Sequence, residues 1–84
     1  MTKDEARREA IRRWLELPPE RREAYDDAEV YAAQIAPDLD FPTITNRTRM
    51  VALWLILEVD RAYLEAVDAA KALRLSRAEQ QLAA

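Results

Sequence analysis

The apolar positions of this chain fall into three stretches with a helical period, separated by Pro18-Pro19, Pro37 and Pro42. In the first stretch Ala6, Ala10, Ile11, Trp14 and Leu15, with Leu17 at the end, line up as one stripe. Thr2 followed three residues later by Glu5 has the spacing of a capping box, in which hydroxyl and carboxylate satisfy backbone donors left over at a helix start. Pro18 pushes Leu17 out of the α region, so the pattern predicts a helix over residues 3–17. In the second stretch Pro19 suits a first helical position, and Glu20 and Glu23 suit the positive end of the helix dipole. Ala24, Ala28, Tyr31, Ala32 and Ile35 then form a narrow seam of mostly small residues, which lets a neighbouring helix approach closely; Arg22, Asp26, Asp27 and Glu29 lie opposite it. This predicts a second helix over residues 19–36, closed by Pro37.

Residues 37–45 carry two prolines and the apolar side chains Leu39, Phe41 and Ile44, the pattern of an extended, ordered loop that plugs a core. Thr43 or Thr45 can cap a helix beginning there, and no breaker interrupts the chain for about 30 residues after Asn46, which predicts a long third helix over 45–74. On a helical wheel Leu53, Ile56, Leu57, Tyr63, Leu64, Val67 and Ala70 share one face with Asp60 near its centre, while Glu58, Arg61, Glu65 and Asp68 lie on the other side. Met50, Trp54 and Leu55 make an apolar collar away from that stripe. The collar either meets helices one and two together or forms an exposed patch for a partner, a second copy included. A charge amid an apolar stripe needs a partner, so Asp60 is expected to meet Arg12, Arg13 or a neighbour. Ser76 and Glu79 repeat the capping-box spacing, so residues 76–84 are read as a short C-terminal helix or a frayed tail beyond a helical domain of residues 1–75. The fold expected is therefore all-α: a compact three-helix bundle with a long third helix and an ordered, proline-containing loop before it.

Composition narrows the chemistry. Among 84 residues there is no Gly, Cys or His, which removes disulfides, thiolate nucleophiles, the commonest metal ligand and general base, and glycine-rich phosphate cradles. The carboxylates sit mainly at ion-pairing distance from arginines along helical faces, as in Glu58, Arg61 and Glu65. Asp38 and Asp40 alternate in an extended loop and can point the same way, but no third acidic ligand accompanies them. These features predict neither catalytic residues nor a metal or cofactor. The longest nearly uncharged run, Met50 to Leu57, is far short of a bilayer span of about 20 residues. A charged start with no apolar leader makes the cytoplasm the expected location.

Charge is unevenly spread. Residues 1–17 and 47–84 each carry a net +1, whereas residues 18–46 carry −5. The acidic middle makes Glu23, Asp26, Asp27 and Glu29, with Asp38 and Asp40, the candidate partner-binding residues, together with Trp54 from the collar. Their field would steer a basic protein surface. A second pattern is the polar helix start Thr45-Asn46-Arg47-Thr48-Arg49. It comes after a helix and a connection roughly as a recognition helix comes after its turn, and Asn and Arg are side chains that read base edges. Thr45, Asn46, Arg47 and Arg49 are thus candidate DNA-binding residues, although acidic flanks oppose phosphate contact. No motif matches a family closely enough to carry residues across. In its small size, acidic helices and lack of catalytic chemistry the chain resembles accessory proteins of phages and mobile elements, including anti-CRISPR inhibitors. That resemblance implies stoichiometric inhibition of a nucleic-acid-processing protein.

Overall fold

The computed structural model describes residues 1–83 and is all-α: α1 (Lys3–Leu15), α2 (Tyr25–Ile35) and α3 (Arg47–Ala83), with 3-10 turns at Pro19–Arg21 and Ala36–Asp38. The capping box of α1 is present, the Glu5 amide donating to the Thr2 hydroxyl at 3.2 Å while the Glu5 carboxylate faces the Thr2 amide. Asp4 and Glu5 in the first turn and Arg12 and Arg13 in the last suit the helix dipole.

The second helix begins later than its sequence pattern suggests. Asp27 accepts from the backbone amides of Glu23 and Ala24 at 3.2 and 3.1 Å. That carboxylate competes with helical continuation from Pro19, so the chain turns at residues 22–24 and α2 starts at Tyr25. The third helix is capped by Asn46, whose side-chain oxygen accepts from the Arg49 amide at 3.2 Å, and not by either threonine. Thr43 instead folds back on Thr45 through two 3.1 Å bonds. At Ser76 no new helix begins: α3 runs unbroken to Ala83.

One core joins the three helices and the loop. It contains Ala6, Ala10 and Trp14 of α1, Ala28, Ala32 and Ile35 of α2, Val51, Trp54 and Leu55 of α3, and Ala36, Leu39 and Phe41 between α2 and α3. Leu39 and Phe41 plug the core as their spacing suggests, but Ile44 is fully exposed. The alanines let α1 and α2 each lie close against α3, and two aromatic pairs fill what remains. Trp14 and Tyr31 have ring centroids 6.0 Å apart, and Phe41 and Trp54 5.2 Å, both tilted.

The collar is the buried side of α3. Trp54 is 7% exposed and Leu55 and Val51 are fully enclosed, so the surface on which self-association through Met50, Trp54 and Leu55 would depend is largely spent inside the bundle. In the stripe around Asp60, Leu53, Leu57 and Leu64 point outward, with Leu57 54% and Leu64 58% exposed, while Ile56 is partly buried against the core. The reason lies on the wheel: residues 51, 54 and 55 meet α1 and α2 from the opposite side. Every residue from Arg61 to Gln81 is exposed, so α3 projects beyond the bundle and stretches the molecule to 59 × 23 × 19 Å. No helix among the described residues is long and apolar enough to cross a membrane.

Candidate functional site

The six carboxylates proposed from sequence separate into two groups. Asp27 is committed to its cap. Asp38 accepts from Arg13 at 3.1 Å, and Asp40 lies 3.4 Å from the Arg47 guanidinium while remaining 96% exposed. Glu23, Asp26 and Glu29 are exposed and have no side-chain hydrogen bond or ion pair among the described residues. Asp26 and Glu29 stand three residues apart on α2, with Glu23 just before its start, so they edge one surface. Exposed Tyr25 and Val30, the latter 61% exposed, stand five residues apart on α2, one to either side of Asp26 and Glu29. A shallow cleft beside Asp26 is lined by Leu17, Arg21, Asp27, Val30, Tyr31 and Gln34. The result is an acidic rim with one apolar side chain to either side. Tyr25 and Val30 were missed in the sequence because neither belongs to the small-residue seam; apolar residues on the polar side of a helix were the available signal.

Asp60 meets neither Arg12 nor Arg13. Its carboxylate accepts a short hydrogen bond from the Tyr25 hydroxyl, which ties the start of α2 to the middle of α3. The bond, and then the negative charge itself, raises the Tyr25 pKa above its ordinary 10, because ionising the phenol would set two anions against each other. The two arginines are held elsewhere. Both donate to Glu9, Arg12 at 2.7 Å and Arg13 at 2.9 Å, and hydrogen bonds from Arg12 and then Arg13 lower the Glu9 carboxyl to about 2.

The DNA-binding candidates are partly occupied. Asn46 spends its side-chain oxygen on the cap. Arg47 is half-buried, its guanidinium 5.7 Å above the Phe41 ring and bonded to Asp40, with Nε enclosed and unpartnered. Thr45 and Arg49 are exposed, with no side-chain partner among the described residues. Eleven residues, Ala36 to Asn46, link α2 to α3, and the 3-10 turn at their start directs Leu39 and Phe41 into the core. Among the described residues no three acidic side chains converge as metal ligands: Asp38 and Asp40 turn to different arginines.

Comparison with protein-family models, curated proteins and solved structures finds no match to this chain.

Proposed function

We propose that the protein is a non-enzymatic binding module that acts stoichiometrically, docking the acidic rim of α2 onto a basic protein surface. The observation that supports this reading is the set of carboxylates at Glu23, Asp26 and Glu29, exposed and without cationic partners among the described residues, with exposed Tyr25 and Val30 to either side of Asp26 and Glu29. Unpaired carboxylates steer a cationic partner and set its orientation, while an aromatic and an aliphatic side chain on either side of them add apolar contact. A surface of this kind fits the basic groove in which a nucleic-acid-processing protein holds phosphates. Occupying that groove blocks the nucleic acid, which is how a phage or mobile-element inhibitor would act in the cytoplasm.

Reversing charge tests the reading. Asp27 is left intact because it starts α2. Glu23→Lys, Asp26→Lys and Glu29→Lys together keep the helical spectrum and abolish capture of the partner that the native chain retains from its host's extract at low salt. Undiminished capture by the triple variant overturns the reading. A band shift on DNA that disappears with Arg49→Ala would favour the helix start of α3 instead.

A further inference from the structure

The outer face of α3, from the bundle into its projecting half, presents a surface that the described residues leave open except at Asp60, where Tyr25 donates its hydroxyl. Leu53, Leu57, Asp60, Leu64, Val67 and Lys71 succeed one another at alternating steps of four and three, the a/d spacing of a coiled-coil seam. The four apolar members of this series are all exposed. We infer that this seam pairs with a second copy of the chain, the two α3 helices running antiparallel.

Two observations call for an occupant. A folded monomer of this mass exposes about 5100 Å² by the scaling of surface with size, whereas this chain exposes 6373 Å². The excess exceeds the roughly 800 Å² that each partner buries in an interface of standard size. The radius of gyration agrees: it is 17.4 Å, against about 12 Å for a compact chain of this length. Most helical stability in proteins comes from packing an amphipathic face, and a second helix along the apolar seam supplies the packing that the projecting part of α3 lacks.

Charge then fixes the partner and its direction. Residues 58–68 hold Glu58, Asp60, Arg61, Glu65 and Asp68, a net −3, and residues 69–78 hold Lys71, Arg74 and Arg77, a net +3. None of Lys71, Arg74 and Arg77 joins an ion pair among the described residues. A surface whose two halves carry opposite charge is complementary to itself under a two-fold rotation, the symmetry of an isologous dimer. With the axis between residues 65 and 66, Leu64 opposes Val67 of the second copy and Asp60 opposes Lys71. Tyr25 takes one oxygen of Asp60, leaving the other for that lysine. In a parallel, in-register pair Asp60 would face Asp60 and Lys71 would face Lys71, so the polar seam positions exclude that arrangement.

Sedimentation of the full chain tests this, with a mass near twice 9.7 kDa expected. Leu57→Glu with Leu64→Glu gives the single mass while retaining the melting of the bundle, whose core does not contain these leucines. Asp60→Lys and Lys71→Asp each weaken association alone, and mixing the two restores it. Because the chain has no cysteine, Leu57→Cys mixed with Arg74→Cys cross-links on oxidation. Leu57→Cys alone does not, since its copy lies about 26 Å along the helix pair at the usual rise. Cross-linking of Leu57→Cys with itself reveals a parallel pair and overturns the inference. So does a monomer at every concentration, whether it then binds anionic vesicles or the surface of another protein, and so does a dimer indifferent to both leucine substitutions.

Discussion

The first and second halves of α3 both carry large apolar side chains and have opposite fates. From Arg47 to Val59 the helix buries Val51, Trp54 and Leu55 against α1, α2 and the loop; from Arg61 to Gln81 it buries nothing, although Tyr63, Leu64, Val67, Leu73 and Leu75 lie within that span. Apolar content therefore does not decide which part of this helix is core. Opposing surface does: α1 has 13 residues and α2 has 11, so they can cover only the start of a helix of 37. The contrast also separates two roles for apolar side chains, one that holds the chain folded and one that remains open to a partner.

Substitutions that treat the two halves alike should give unequal results. Trp54→Ala removes a ring packed on Phe41 inside the core and is expected to cost about 3–5 kcal/mol, enough to unfold most of so small a domain, whereas Leu64→Ala should change the unfolding free energy of the dissociated chain by less than about 0.5 kcal/mol. Urea titrations monitored by circular dichroism compare them, and equal losses would abolish the distinction. A smaller effect belongs to the start of the buried half. Asn46→Ala deprives the Arg49 amide of its acceptor and should lower stability by about 1 kcal/mol, with Asn46→Asp retaining it. Loss of less than a few tenths would show that the core, not the cap, sets where α3 begins.

The smallest expected effect lies where the two halves join. The hydrogen bond to Asp60 raises the Tyr25 pKa, so the phenol stays protonated in the folded chain at pH values where it ionises in the unfolded one. The resulting stability is complete below pH 10 and is lost as pH climbs through the raised value. Absorbance titration of tyrosinate should show a late-ionising group in the native protein that both Tyr25→Phe and Asp60→Asn remove. A titration unchanged by either substitution would place Tyr25 away from Asp60 in solution.

The element boundaries show where local signals suffice. Thr2 with Glu5 marks the start of α1 and Pro18 its end because both act on the backbone of their immediate neighbours. The break at residues 22–24 is harder to see, since Pro19 and Asp27 each offer a valid helix start and only their competition places α2 at Tyr25. Within the acidic rim the residue types are visible in the sequence, yet the division of Asp27, Asp38 and Asp40 from Glu23, Asp26 and Glu29 depends on hydrogen bonds, two of them reaching arginines on other elements.

What the sequence determined by itself is the set of local choices: three helices, their proline punctuation, the small-residue faces of α1 and α2, and a loop whose Leu39 and Phe41 turn inward. Period and capping express forces within a few residues of chain, so they survive without knowledge of the fold. Tertiary structure alone decided which side of α3 faces in, that Asp60 meets Tyr25 instead of an arginine, and that half of the longest helix is left uncovered. Between Met50 and Leu57 the helix is apolar on every side, and a wheel that is apolar all round carries no direction; only the position of α1 and α2 supplies one.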